Sequence, residues 1–179
     1  MKRITYAALA GVSLTFAGPA AASERDWAQA SDIARDGLML AALAVPAVQG
    51  DWRGAGQASL AMGTTRLVTD ALKTAVGEER PDGSNNRSFP SGHTSMSFAA
   101  AATLTKRNGR AFAVPAHLVA AFVGLARVKA NKHYVHDVIA GAAIGEAAGW
   151  LLTTRKDSDV QWMPWGGTRS AGATVHVRF

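Results

Sequence analysis

Five stretches rich in apolar and small residues, separated by Gly, Asn or Pro breaks, restrict this chain to one kind of fold. The first runs from Ser31 to about Val48 (SDIARDGLMLAALAVPAV), with Ser31 as the expected N-cap and Asp32 in the first turn. Gln49-Gly50-Asp51 breaks it, and residues 53–76 form the second, carrying Arg66, Asp70 and Lys73 on one flank at spacings of four and three. Residues 77–90 (GEERPDGSNNRSFP) hold turn-forming residues without apolar periodicity, so they form a loop. A third helix is expected to start at Ser91-Gly92-His93 and stop at Asn108-Gly109. Residues 111–129 and about 133–153 supply the fourth and fifth, divided by Ala130-Asn131-Lys132. The expected fold class is all-α: a single-domain helical bundle of about five to six helices, with a short extended C-terminal tail. With 48% hydrophobic and 18% charged residues and abundant Ala and Gly, the chain suits closely packed helices rather than disorder.

The ends read differently. Residues 1–22 have Lys2 and Arg3, an apolar stretch and Ala20-Ala21-Ala22, the layout of a secretory signal peptide. Residues 23–155 then form the helical domain, and residues 156–179 an extended tail whose Val175, Val177 and Phe179 alternate with Thr174, His176 and Arg178. The expected location is exported and periplasmic, either soluble or associated with the membrane. The fourth segment contains Pro115 and His117 and the fifth Glu146, so neither offers the roughly 18 to 20 uninterrupted apolar residues of a spanning helix. A soluble or surface-associated bundle is therefore favoured over an integral one.

The absence of cysteine excludes disulfides and thiolate metal sites. The formal charge of +6 falls by two, to +4, when Lys2 and Arg3 leave with the signal. That excess, without basic runs interleaved with aromatics, argues against a nucleic-acid partner and for a small anionic substrate, with possible contact to an anionic membrane surface.

Three segments carry candidate chemistry. Lys73 precedes Arg80-Pro81 by seven residues, placing one cation at a helix end and another in a turning loop. Read alone, these are equally solvated surface charges. Pro90-Ser91-Gly92-His93 sits where a loop enters a helix, where free backbone N–H groups and the dipole favour a phosphate. Read alone, Ser91 is equally an ordinary N-cap and His93 a surface residue. Arg127, His133 and Asp137 follow the spacing RxxxxxHxxxD. Four residues apart on a helix, Asp137 would hold one imidazole nitrogen of His133 and leave the other free to attack, although such a pair is also an ordinary surface contact. All three patterns in this order arise by chance in a chain of this size with a probability on the order of one in a million.

On these motifs, from roughly Gly50 to Trp150, the sequence resembles the type 2 phosphatidic acid phosphatase superfamily, which also includes class A nonspecific acid phosphatases and vanadium haloperoxidases. The resemblance implies a metal-independent phosphatase acting on phosphomonoesters of a lipid or a small molecule, with no cofactor and no metal. It implies that Lys73, Arg80 and Arg127 bind the phosphate oxygens with Ser91 and Gly92, and that His93 protonates the leaving alcohol. His133 would be the nucleophile, forming a phosphohistidine, and Asp137 would orient it. Three cations and a helix terminus suit phosphoryl transfer, which needs positioning and charge stabilisation above all. Because those cations oppose protonation of His133 while Asp137 favours it, the expected working pH is mildly acidic to neutral.

One departure stands out: Ala126 occupies the place where the family usually has Ser, removing a hydroxyl beside Arg127. It is the best sequence support for an alternative, a non-catalytic anion-binding envelope protein. A vanadate-dependent haloperoxidase, which uses a similar cradle in much longer chains, is a further alternative. His136, beside Asp137, is expected to be a surface residue pointing elsewhere.

Overall fold

The computed structural model describes residues 22–166 and 168–178, so all but the last residue of the expected signal peptide lies outside the described residues. Five helices follow in order: α1 (Glu24–Val48), α2 (Trp52–Val76), α3 (Gly92–Asn108), α4 (Arg110–Lys129) and α5 (Val135–Leu152). Two strands, β1 (Val160–Gly166) and β2 (Ala171–Val177), then pair antiparallel, from Val160 opposite Val177 to Gly166 opposite Ala171. The all-helical bundle expected from the sequence is thus present, and its extended tail is a two-stranded hairpin.

Helix ends follow local chemistry. Ser23 caps α1 and exchanges hydrogen bonds with Asp26, whose carboxylate accepts from the Ser23 N–H at 2.9 Å while the Ser23 hydroxyl accepts from the Asp26 N–H at 3.2 Å. This capping box puts the N-cap eight residues before the expected Ser31, which instead lies buried in the helix with its hydroxyl donating to Ala28 O at 2.6 Å. Asp51 caps α2, and Gly77, at φ +63°, ends it in the left-handed conformation that glycine adopts freely. Gly109, at φ +86°, turns the chain directly from α3 into α4.

The central helix is α3, which packs against each of the other four helices and whose Ala99, Ala100, Ala101 and Ala102 are all fully buried. Its closest neighbour is α5, which presents Gly141, Gly145 and Gly149 on one face at a spacing of four. A Cβ at Gly141 would stand 2.5 Å from Ser91 O, one at Gly149 2.5 Å from the Ala102 Cβ, and one at Gly145 would collide with Ser95 O. Backbone therefore lies on backbone, in the small-residue packing that helices use for close approach. The contact fixes the N-terminus of α5 beside the N-terminus of α3, where the Ser91 N–H donates to Asp137 O at 3.0 Å.

At the opposite end Arg107 makes a paired contact with Asp51 (Nε–Oδ2 2.5 Å, Nη2–Oδ1 2.6 Å) and donates to Gln161 Oε1 at 2.8 Å, tying the hairpin to the bundle.

α4 and α5 are both long and apolar enough to cross a membrane, with mean hydropathies of 1.7 and 1.2 over windows of which 33% and 22% are buried within the fold. This corrects the sequence expectation that Pro115, His117 and Glu146 disqualify them. Both helices run through those residues without a break, and the polar groups satisfy one another. His117 Nε2 lies 3.2 Å from Glu146 Oε2, while Trp150 Nε1 donates to Glu146 Oε1 at 2.5 Å. Val114, Leu118 and Leu125 of α4 and Ile139 and Leu151 of α5 face outward, each more than half exposed.

Candidate active site

The C-terminal ends of α2 and α4 and the N-terminal ends of α3 and α5 meet at one end of the bundle. A cavity of about 380 Å³ there is lined by Lys73, Arg80, Gly92, His93 and His133, five of the eight residues singled out from the sequence. The other three lie around it. Ser91 is fully buried, with its hydroxyl accepting from that of Thr94 at 3.0 Å, so it serves as the N-cap of α3. Arg127 and Asp137 are 5% and 0% exposed and do not line the cavity themselves.

His133 stands just before α5 rather than on its face, which corrects the expected helical pairing with Asp137. The helix begins two residues later because Asp137, in its first turn, accepts from the Tyr134 N–H at 2.9 Å and so draws its carboxylate back over the helix start. The pair still forms, with His133 Nδ1 3.4 Å from Asp137 Oδ2, and the Ser88 hydroxyl donates to that same oxygen at 2.6 Å. An N–H on Nδ1 leaves Nε2 with its lone pair, and that nitrogen makes no hydrogen bond among the described residues.

Burial, followed by the charges of Lys73, Arg80 and Arg127, pushes the His133 imidazolium down to about 3 against the opposing pull of Asp137. The ring is therefore neutral, and nucleophilic, through the mildly acidic range.

The cations differ in what they have left to offer. Lys73 donates all three ammonium protons to loop carbonyls, at 2.7 Å to Arg87 O, 3.0 Å to Ser88 O and 2.6 Å to Pro90 O. It anchors the loop, and contributes charge to the cavity without a spare donor. Burial and the nearby Arg80 push its pKa down to about 8. By contrast, the Nε–H groups of Arg80 and Arg127 are buried without a hydrogen-bond partner among the described residues. An unpaired buried donor is costly, and a charged one more so, which marks both as groups awaiting an anion.

Several participants were not singled out from the sequence. Arg35 of α1 and Arg66 and Arg87 also line the cavity. Arg66 and Arg87 are both engaged with Asp70, at 2.6 and 3.5 Å. Asp32 and Arg35 approach His93 Nε2 at 2.5 Å each. One ring nitrogen either donates to a carboxylate or accepts from a guanidinium, so the two contacts belong to the two protonation states of Nε2. Burial, then Arg127 and Arg35, push His93 down to about 4, and Asp32 opposes them. The available signal was spacing: Ser31, Asp32 and Arg35 share one turn of α1 and so face the site together.

Ser31 also bears on the departure at Ala126. That alanine is fully buried, and Arg127 Nη1 donates instead to the Ser31 hydroxyl at 3.3 Å, so α1 supplies a hydroxyl to the guanidinium.

His136 is exposed, as expected, but it does not point away from the dyad. Its Nε2 lies 3.2 Å from Asp137 Oδ1 and 2.9 Å from Glu78 Oε1.

A helical bundle whose paired helix N-termini bring two histidines together with several arginines is of a class suited to receiving an anion. The chain belongs to the PAP2 superfamily, whose family model matches residues 54–159. It is 36% identical over 96 residues to a lipid A 1-phosphatase of Porphyromonas gingivalis, covering 52% of this chain and 22% of that protein. It is 33% identical to lipid phosphate phosphatase 2 of Arabidopsis thaliana, covering 45% of this chain and 43% of the relative. A lipid A 4'-phosphatase of Helicobacter pylori is 29% identical, with 59% of each chain covered. This chain thus spans between about a fifth and three fifths of the length of these relatives. Among solved structures, Aquifex aeolicus LpxE superposes with a TM-score of 0.63 over 72% of this chain and 84% of that one, at 23% identity, a likeness of fold.

Proposed function

We propose that the protein is a phosphatase that removes a phosphomonoester group from a phosphorylated lipid, without a metal, through a phosphohistidine on His133. The observation that carries this reading is the pairing of His133, its Nδ1 held toward Asp137 and its ring neutral, with the buried, unpartnered Nε–H groups of half-buried Arg80 and buried Arg127. One supplies an attacking lone pair and the other two supply donors for the oxygens of a phosphoryl group.

In the first step His133 Nε2 forms a bond to phosphorus while the bond from phosphorus to the alkoxyl oxygen breaks. His93 gives its proton to the departing oxygen. In the second step water attacks the phosphohistidine, His93 takes a proton from it, and inorganic phosphate leaves with His133 restored. Lys73 holds the loop carrying Ser88 and Pro90 and adds positive charge. The N-terminus of α3 at Gly92 contributes backbone donors to the phosphate. The dianionic substrate offsets the field of the cations around His93, favouring the protonated acid when substrate is bound.

A lipid substrate is supported by the outward apolar residues of α4 and α5 and by the relatives named as lipid A and lipid phosphate phosphatases. Action on the extracytoplasmic side is supported by the signal-peptide layout of residues 1–22. Phosphate release from phosphatidic acid, a phosphorylated glycolipid, isoprenyl diphosphates and a sugar phosphate, with and without a chelator, tests the proposal. Turnover of a lipid phosphate that survives chelation is expected. Loss of turnover on chelation, or preference for the sugar phosphate, would overturn the corresponding part.

A further inference from the structure

We infer that Glu78, His136 and Asp137 form a divalent transition-metal site, of the kind zinc occupies, on the outer side of the catalytic pair, and that the ion acts as an inhibitor. None of the three lines the 380 Å³ cavity, so the site is separate from the anion cradle. Their ligand atoms all lie within 4.8 Å of one another. His136 Nε2 is 2.9 Å from Glu78 Oε1 and 3.2 Å from Asp137 Oδ1. A tetrahedral zinc with bonds of 2.0 to 2.1 Å sets its ligand atoms about 3.3 Å apart, so small adjustments would admit the ion.

A second observation points to a ligand there. Asp137 is fully buried, and while its Oδ2 serves His133, Ser88 and Tyr134, its Oδ1 has no hydrogen-bond partner among the described residues. Glu78 Oε2 is likewise buried and without a partner. The single N–H that His136 Nε2 can present is directed to Glu78, so it does not satisfy Asp137. A cation replacing that proton would satisfy all three groups at once.

The site is also built and reachable. The His136 ring stacks on Tyr134 with centroids 5.4 Å apart and planes 8° from parallel, and on Phe89 at 6.0 Å, which fixes the direction of Nε2. The side chain is 57% exposed, leaving an open approach and room for a fourth ligand from solvent. Two carboxylates and one neutral imidazole match the charge of a divalent ion, and the donor set is one zinc accepts.

The consequence for catalysis rests on the phosphatase reading. An ion on Oδ1 draws charge from the Asp137 carboxylate, weakening its hold on the His133 Nδ1–H and with it the basicity of the attacking nitrogen. The metal therefore inhibits a reaction that does not require it.

Zinc chloride titrated calorimetrically into the purified chain tests binding independently of any activity. The expected result is one zinc per chain, weakened at least tenfold in His136→Ala and abolished in the double variant with Glu78→Gln. Equal zinc binding by the wild type and the double variant, or none by the wild type, would overturn the site. The second measurement is hydrolysis of an aryl phosphate. Zinc should inhibit the wild type but not His136→Ala, whose metal-free rate should match the wild type within about twofold. Zinc bound at the site without change in the rate would overturn the inhibitory role and leave the phosphatase reading intact. A metal-free chain without turnover would instead count against that reading alone.

Discussion

Asp32 Oδ1 lies 2.5 Å from His93 Nε2, joining a residue of the first helix to the histidine at the start of the third. The contact favours a proton on His93, opposing burial and two arginines, which together hold the imidazolium down to about 4. Asp32→Asn should therefore weaken general-acid catalysis, which is worth about 10² to 10⁴ in rate. The loss should be large for alkyl phosphates, whose leaving oxygen needs the proton, and small for nitrophenyl phosphates. Comparing kcat on the two substrates checks this; equal losses would contradict it.

His133→Ala should reduce turnover by about 10⁴-fold or more, since the attacking nitrogen is lost outright. Incubating the wild type with a radiolabelled phosphoester and quenching in alkali, where phosphohistidine survives, should leave label on the chain. The variant should take up none. Asp137→Asn should retain some label but form it slowly.

Lys73 gives a pH dependence with a definite sign. With a folded pKa of about 8 against an ordinary 10.5, the unfolded chain binds more protons than the folded one between those values. Stability from this group therefore rises with pH across that interval, and the charged, buried ammonium is a destabilising element below it. Activity should move the other way, with kcat/KM declining above about 8 as the cavity loses a positive charge. Thermal unfolding and rate profiles over the same pH range measure both, and Lys73→Met should flatten the stability trend.

The packing of α5 on α3 predicts a contrast between two glycine-to-alanine changes. At Gly149 the new methyl would stand 2.5 Å from the Ala102 Cβ and 2.9 Å from Ala99 O, and overpacking of this kind costs about 1 to 3 kcal/mol. At Gly63, on an exposed face of α2, nothing lies within 4 Å of the new methyl. That change should stabilise by about 0.4 to 1 kcal/mol, by reducing the freedom of the unfolded chain. Denaturant unfolding of the two variants should move the midpoint in opposite directions.

Much of this architecture was legible because local chemistry marks it. Ser91 at a loop exit, Asn108-Gly109 as a stop and the polar run of 77–90 gave the ends of α2 and α3, and Lys73, Arg80, His93 and His133 do share one cavity. The start of α1 was missed because Ser31-Asp32 looks as good a cap as Ser23-x-x-Asp26, and only tertiary packing tells that Ser31 is buried mid-helix. The roles of Asp32 and Arg35 were missed for a related reason. They act on a histidine some sixty positions away, and their spacing on α1 groups them on one side of the helix without naming the neighbour that side meets. Three saturated donors on Lys73 are similarly invisible in sequence, where the residue reads as a free cation.

The glycine face of α5 divides the working parts by the kind of contact that joins them. With backbone resting on backbone, α3 and α5 set His93, Asp137 and, just before α5, His133 beside one another. α1 meets His93 through the side chains of Asp32 and Arg35. The groups that set the charge at His93 therefore reach it from a different helix, and by a different kind of contact, than those that orient His133.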